Sequence, residues 1–302
     1  MTEAAPPTDE LAPVIDFRFR VPTALFDASA AGAHRAVWWH TRDTPLWRDE
    51  STVESRTRPR TIEACVAWLR ERRVRAVLPG RGMPLVAIPN DHLHELCTTY
   101  PDCFVALAGI DAPRRRAAMD EIARCHALGF VGVHFETGWH RPPLLPDAPE
   151  LWPLYAQCED LGLLAVIHVG PLGGPTPAHA DPAAVGRVAR AFPDLRIVVS
   201  HGGYPNADAA VLCVFEHPNV WLAPDPYHQF PGGERYREWA NRSDLVADRL
   251  LYGSSHGWPH APDALAAFGQ QGWRPDVLRR VLHTNAAQLL GGAGVSPSSS
   301  PA

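Results

Sequence analysis

The sequence predicts an α/β fold, specifically a (β/α)8 TIM barrel. The chain has 302 residues, a length at which parallel α/β barrels form one domain. From about residue 61, short runs of β-branched and aliphatic residues alternate with amphipathic stretches, the pattern of successive βα units. With a first strand near the amino terminus, the count of such units is eight. The 46% hydrophobic and 20% charged fractions are typical of a globular protein.

Each element is predicted from its local pattern. The apolar and β-branched runs predict strands at residues 14–20, 74–79, 104–110, 131–135, 163–168, 196–201, 220–223 and 249–252. The amphipathic stretches predict helices at residues 61–73, 90–100, 114–128, 150–161, 182–191, 207–216, 234–241 and 275–290. Thr61 is the expected N-cap of the first helix, and Gly129 is expected to end the third because glycine accepts a left-handed backbone. A long irregular segment separates strand 1 from residue 60.

One barrel domain is expected over residues 14–290, since no break in composition divides this range. Residues 1–13 are expected to form a disordered lead, and residues 291–302 a disordered, low-complexity tail. The amino terminus lacks a positively charged region followed by an apolar stretch, so no secretory signal is expected. Six scattered cysteines without CxxC spacing favour reduced thiols over a disulfide framework. A cytoplasmic location follows as the expectation.

Composition also excludes several classes of function. No apolar run approaches the roughly 18 residues that a membrane span needs. A net charge of −5 without a basic stripe argues against a nucleic-acid partner. All 28 basic residues are arginines, which excludes a Schiff-base lysine, a carbamylated metal-bridging lysine and a phosphate-loop lysine. The expected partner is a small molecule.

Strand 1 carries the first candidate site residues. Its apolar residues Ile15, Phe17 and Phe19 alternate with charged ones, so we expect the apolar set to face the helix ring. Asp16, Arg18 and Arg20 would then point into the barrel mouth. Active sites of parallel barrels lie at the carboxyl ends of the strands. Two inward guanidinium groups are costly unless an anion faces them, which predicts an anionic substrate.

Histidines end two further strands. His168 ends strand 5 and His201 ends strand 6, and strand 8 runs into Gly253-Ser254-Ser255-His256. A single histidine at a strand end is more often an ordinary hydrogen-bonded residue, but two opposite an Arg-x-Arg strand favour a catalytic site. A second group could line the pocket or equally serve packing: His134, Tyr227, His228, His256 and Trp258.

Five motifs together resemble a known family. They are Val14-Ile15-Asp16-Phe17-Arg18, Ala165-Val166-Ile167-His168, Val199-Ser200-His201-Gly202-Gly203, the segment from Leu250 to Pro259 and the terminal segment from His283 to Leu290. In order and spacing they resemble the amidohydrolase-related family that includes aminocarboxymuconate-semialdehyde decarboxylase. Each motif is weak alone, but the set spans nearly the whole chain. The resemblance implies the same barrel fold and leaves a homodimer open.

The resemblance also implies a metal site that this sequence lacks. In the family, strand 1 carries His-x-His, strand 5 a histidine and strand 8 an aspartate; these bind one divalent metal, while the strand-6 histidine acts as acid or base. Here the first pair is Arg18 and Arg20, and the strand-8 position is Ser255. Only His168 and His201 match. Arginine offers a metal no lone pair, so neither a metal nor another cofactor is expected.

The leading hypothesis is a metal-independent enzyme that hydrolyses a C–O or C–N bond in a small carboxylate-bearing molecule. His201 or His168 would activate water, and Arg18 and Arg20 would bind the anion. The remaining expected contacts to substrate come from residues of strands 4 and 8 and the loop after strand 8: His134, Ser255, His256 and Trp258.

Four alternatives stay open. One is decarboxylation or another C–C lyase reaction, although an arginine clamped on the departing carboxylate would stabilise the ground state more than the neutral CO₂ being formed. Another is an inactive barrel that binds a ligand or a protein. A third is a metal site built from His134 or His256. In the fourth, Arg18 merely pairs with Asp16 or Glu136.

Overall fold

The centre of the molecule is a parallel sheet whose strands follow chain order. A computed structural model describes residues 13–29, 61–84, 86–255 and 261–291. In these ranges a seven-stranded sheet has the order β1 to β7, and every neighbouring pair is parallel. The strands are β1 (Val14–Asp16), β2 (Val74–Leu78), β3 (Phe104–Gly109), β4 (Gly132–Phe135), β5 (Leu164–His168), β6 (Ile197–Ser200) and β7 (Val220–Ala223).

Residues 249–252, predicted as the eighth strand, close the sheet with a few hydrogen bonds rather than a full ladder. On one side Leu222 of β7 donates to the backbone oxygen of Arg249 at 2.9 Å and accepts from Leu251 at 2.8 Å. On the other side the backbone nitrogen of Phe17 donates to Tyr252 at 2.9 Å. The fold is therefore the predicted parallel α/β barrel.

Helices follow the strands on the outside, as a right-handed βα crossover requires. They are α1 (Ile62–Glu71), α2 (Asn90–Thr99), α3 (Arg115–Ala127), α4 (Trp152–Asp160), α5 (Pro182–Ala191), α6 (Ala207–Glu216), α7 (Glu234–Arg242), α8 (Asp244–Ala247), α9 (Ala261–Gly269), α10 (Pro275–Arg279) and α11 (Asn285–Gly291). The Thr61 side chain caps α1 by accepting from Ala64, and Gly129 has the predicted positive φ, 87°. Helix α9 was not predicted, and a π-helical turn at Arg280–Thr284 interrupts the predicted last helix.

Strand 1 corrects the predicted alternation of faces. It ends at Asp16, and the chain bends at residues 17 and 18. Ile15 and Phe17 pack inside the barrel, whereas Phe19 packs in the layer between strands and helices. The prediction that all three face the helices is therefore wrong for Ile15 and Phe17. The bend reverses the alternation, because a one-residue shift moves each later side chain to the opposite face.

The inside of the barrel is apolar except at the carboxyl ends of the strands. Its interior cluster combines strand residues such as Val77, Leu107 and Val166 with Leu289 and Leu290 of α11, which cover the amino-terminal end. Buried polar side chains lie beyond this cluster, at the carboxyl ends of the strands. The fold thereby confines every buried functional group considered below to one end.

Several predictions fall on residues that the structure does not describe. The lead before residue 13, the tail after residue 291 and most of the segment before residue 60 lie outside the described ranges, as do His256 and Trp258. The extent of the domain, the cytoplasmic location and the homodimer stay predictions. All six cysteines lie in described ranges and are free thiols, as predicted. Among described helices, none has both the length and the apolar character that a membrane crossing needs.

Candidate active site

The guanidinium of Arg18 lies at the centre of the barrel mouth. Its Nη1 donates to Ser200 Oγ at 2.7 Å and lies 3.3 Å from His134 Nε2. Two carboxylates face it from further away: Nη2 lies 3.9 Å from Glu136, and Nε lies 3.8 Å from Asp225. Arg18 therefore bonds directly to neutral groups, and its buried charge is balanced only at longer range.

Backbone contacts fix the tautomer of His134. Its Nδ1 lies 2.9 Å from the backbone oxygen of Gly80, so this nitrogen donates. Burial lowers the pKa of His134 to about 3, so the ring is neutral at physiological pH. Nε2 then carries a lone pair and accepts from Arg18.

A second arginine, Arg81, pairs with Glu136. Arg81 Nη2 donates to Glu136 Oε1 at 2.9 Å, and its guanidinium lies 5.4 Å from the centroid of the Trp139 ring. Burial raises the pKa of Glu136, but Arg81, His134 and His168 together lower it well below the usual value. Glu136 is therefore a permanent anion.

His201 and Asp225 form the opposite wall. The fold holds His201 in a left-handed conformation, φ 65°, directly after β6. Its Nδ1 donates to the backbone oxygen of Asp225 and lies 3.1 Å from Asp225 Oδ1. Burial and the charge of Arg18 lower the pKa of His201 well below its usual value. The ring is therefore neutral, with the lone pair on Nε2.

Arg20 is the least compensated cation of the mouth. It is partly exposed and donates to the backbone oxygen of Ser255 at 3.4 Å. No carboxylate of the described residues lies within ion-pair distance of it. Burial and the charge of Arg18 lower the pKa of Arg20 to about 9, so the guanidinium stays charged at neutral pH. Arg20 is therefore a positive charge at the barrel mouth without a carboxylate partner among the described residues.

His168 completes the cluster. Its ring lies 4.4 Å from the His201 ring, centroid to centroid, and its Nδ1 lies 3.7 Å from Glu136 Oε1. Within the part of the chain that the structure covers, this nitrogen has no hydrogen-bond partner. Burial lowers the pKa of His168, so its imidazole is neutral.

The structure brings together six of the predicted site residues: Arg18, Arg20, His134, His168, His201 and Ser255. His228 packs against Phe268, with ring centroids 4.8 Å apart. Sequence reasoning missed Arg81, Ser200 and Asp225. The missed signal for Asp225 is its position two residues after Ala223, which faces the barrel interior at the end of β7.

The described residues do not fit the family's divalent metal. The arginines at the strand-1 positions have no lone pair to offer. Arg18 brings a fixed positive charge to the space between Glu136 and Asp225, where it would repel a second cation. No group of three or more His, Cys, Asp or Glu side chains within the described ranges has a metal-binding arrangement.

Fold and site together define a parallel α/β barrel with ionisable groups at the carboxyl ends of its strands, the location of barrel active sites. Residues 82–292, more than half of the chain, match the family model described as amidohydrolase. The chain belongs to the amidohydrolase family. The matched range begins after Arg18 and Arg20.

Three relatives illustrate the similarity. The γ-resorcylate decarboxylase of Rhizobium radiobacter is 26% identical over 301 residues, covering 82% of this chain and 89% of its own. An uncharacterized TIM-barrel protein from Bordetella bronchiseptica has a TM-score of 0.79 and 28% identity, covering 94% of this chain and 100% of its own. The 2,6-dihydroxybenzoate decarboxylase from Rhizobium has a TM-score of 0.65 and 20% identity, covering 93% and 99%.

Proposed function

We propose that this protein is a carboxy-lyase that removes CO₂ from a small aromatic or conjugated carboxylic acid without a resident metal ion. The observation that carries the proposal is the buried Arg18 guanidinium between Glu136 and Asp225, beside two neutral histidines and the free charge of Arg20. The decarboxylase names of two relatives support this reaction over the hydrolysis favoured by the sequence alone.

Arg20 holds an anionic group of the substrate other than the carboxylate that leaves. A guanidinium on the leaving group would slow its loss, because CO₂ is neutral. A phenolate or a second carboxylate on Arg20 avoids this cost and anchors the substrate ring. The leaving carboxylate then lies away from the cation.

Arg18 takes the electrostatic place of the ion in this proposal. Ser200 and His134 hold its guanidinium in place, so the positive charge is part of the protein and no ion has to be bound from solution. Its positive charge stabilises negative charge that develops on the substrate. His168 and His201 are neutral and hold or pass a proton through a ring nitrogen.

Hydrolysis is the second candidate. The Nδ1 proton of His201 is donated to the backbone oxygen of Asp225. Nε2 therefore carries the lone pair that a base needs to activate water. Arg20 would then stabilise the oxyanion.

An inactive ligand-binding barrel would be stabilised thermally by an acid that it does not turn over.

One assay separates these functions. Purified protein, treated with a chelator and analysed for metals, is incubated in ¹⁸O-labelled water with 2,6-dihydroxybenzoate and other hydroxylated benzoates, and separately with small carboxylate-bearing esters and amides. The proposal predicts CO₂ release and no ¹⁸O in the aromatic product. Label in the product supports hydrolysis, and activity that appears only with added zinc or manganese contradicts the metal-free reaction.

Replacing Arg20 by Met should lower kcat/KM by about 10²-fold or more, because the substrate loses its charged anchor. Folding should persist, since the hydrogen bond of Arg20 is long and its side chain is partly exposed. Circular dichroism checks the fold. The matched control is Arg70→Met, which removes an exposed arginine from the opposite end of the barrel and should keep full activity. Full activity of Arg20→Met would refute the anchor.

A further inference from the structure

Two buried carboxyl groups face each other across the mouth, and their partners differ. Glu136 accepts a hydrogen bond from Arg81 at 2.9 Å, as expected of a stable ion pair. The nearest cationic nitrogen to Asp225 is Arg18 Nε at 3.8 Å, beyond hydrogen-bond distance. Two carboxyl groups in such different surroundings divide the roles of anion and acid.

Asp225 is almost fully buried, and its hydrogen bonds do not compensate for the loss of contact with water. Its side chain is 1% exposed, and within the described ranges Oδ2 has no hydrogen-bond partner. A side chain at position 253 would collide with it, because a Cβ built on Gly253 would lie 2.7 Å from Asp225 Cβ and 3.0 Å from Oδ2. Burying an unpaired carboxylate is costly, whereas a neutral carboxylic acid avoids much of that cost.

Two polar side chains of the barrel mouth lie beside Asp225 Oδ1. Ser255 Oγ donates to it at 3.4 Å, and His201 Nδ1 lies 3.1 Å away. These contacts fix the carboxyl group beside the histidine whose Nε2 is free to exchange a proton. Burial raises the pKa of Asp225 to about 8, against the opposing charge of Arg18.

We propose that Asp225 is the acid that delivers a proton to the substrate carbon from which CO₂ departs. This inference rests on the proposed carboxy-lyase function. The Asp225 carboxyl forms the new C–H bond, the bond from that carbon to the carboxylate breaks, and its electron pair returns to the substrate skeleton. CO₂ leaves, and the aspartate takes a proton from water. The sum is R–COO⁻ plus H⁺ giving R–H plus CO₂, without an oxidant or reductant.

Binding of the substrate favours the protonated acid. The charged and titratable groups around Asp225 come from three parts of the barrel, the first strand and the ends of β6 and β7: Asp16, Arg18, Arg20, His201 and Tyr227. The two arginines favour the ionised form of Asp225, and a substrate anion on Arg20 offsets that effect. Asp225 therefore stays protonated in the enzyme–substrate complex.

The test uses the full chain with 2,6-dihydroxybenzoate as probe. Asp225→Asn keeps the shape and neutrality of the acid but has no acidic proton, so kcat should fall by about 10²–10⁴-fold while KM changes by less than about threefold. Asp225→Glu restores an acid and should recover part of kcat. The matched control is Asp102→Asn at the amino-terminal end, which should leave both constants unchanged.

The pH profile separates an acid from a structural residue. Wild-type kcat should fall as pH rises through about 8, because the acid must be protonated, and this limb should be missing in Asp225→Asn. Unchanged kcat in Asp225→Asn, or a wild-type limb that persists in it, overturns the inference while wild-type CO₂ release upholds the carboxy-lyase function.

A measurement without turnover covers the remaining outcome. If wild type releases CO₂ from no probe, the proposed function fails, and difference infrared spectra of wild type and Asp225→Asn between pH 6 and pH 10 still test the acid. A protonated carboxyl band that wild type loses with rising pH, and that Asp225→Asn lacks, supports the assignment. The absence of that band at pH 6 overturns it.

Discussion

At the amino-terminal end of the barrel, Arg70 and Asp102 lie 2.7 Å apart, with about half of each side chain exposed, 53% and 50%. At the carboxyl-terminal end, Arg18, Glu136 and Asp225 are almost inaccessible, and Arg18 stands 3.8 Å or more from both carboxylates. The Arg70–Asp102 pair is exposed to solvent and within hydrogen-bond distance. The charges around Arg18 are buried and lie beyond hydrogen-bond distance of it. A short ion pair at the surface costs and contributes little. Buried charges with incomplete partners persist where they serve a reaction.

The largest expected difference between the two ends is in stability. Arg18→Met removes a buried cation with hydrogen bonds to Ser200 and His134, so the free energy of unfolding should fall by about 3 kcal/mol or more. Arg70→Met removes a closer but exposed partner and should change the free energy of unfolding far less. Urea denaturation measures both. Equal losses, or a larger loss in Arg70→Met, would mean that burial does not decide the energy of these charges.

The sequence predicted the strands better than it predicted the site. Strands β2 to β7 lie within one or two residues of the predicted ranges, because runs of buried β-branched residues between amphipathic helices leave few alternatives. Strand 1 was wrong in the faces of Ile15 and Phe17, since the bend after Asp16 leaves no mark on the alternation of residue types. Helix α9 was missed because no element was predicted between strand 8 and the helix at residue 275.

The site was predicted through motifs and missed where contacts alone define it. Arg18, His168 and His201 stand out as departures from or matches to a family pattern. Arg81 lies on no predicted element, and its partner Glu136 follows β4 by one residue. Their pairing depends on how β2 and β4, the two strands that flank β3, bring their carboxyl ends together, which the spacing of residues along the sequence does not encode. Asp225 lies between Pro224 and Pro226, directly after the predicted strand 7, and belongs to none of the five motifs.

A smaller effect should follow from filling the space beside Asp225. Gly253→Ala places a methyl group within 2.7 Å of the Asp225 side chain, so we expect a loss of about 1–3 kcal/mol and a displaced carboxyl group. The control is Gly291→Ala in α11, at the amino-terminal end, where a Cβ meets nothing within 4 Å. That change should be neutral or slightly stabilising. Thermal unfolding of both variants measures the difference in stability. An unchanged stability of Gly253→Ala would show that the barrel mouth can accommodate the added methyl group.

The last comparison distinguishes the two ends by the sign of their pH dependence. The pKa of Asp225 is raised by burial from 3.8 to about 8, so the folded chain holds a proton that the unfolded chain has released between these values. Its contribution to stability is full below about pH 4 and is lost as pH rises, by about 1 kcal/mol from pH 7 to pH 8.

Asp102 acts in the opposite sense. The hydrogen bond from Arg70 lowers the pKa of Asp102, so its contribution is present at neutral pH and is lost only as pH falls below its usual range; exposure keeps it small. Asp225→Asn should therefore gain stability relative to wild type as pH rises from 5 to 9, whereas the difference between Asp102→Asn and wild type stays flat over that range. Urea midpoints at each pH measure both differences. Parallel curves for Asp225→Asn and wild type would mean that Asp225 is already ionised at pH 5, and the acid would have to be sought among the histidines.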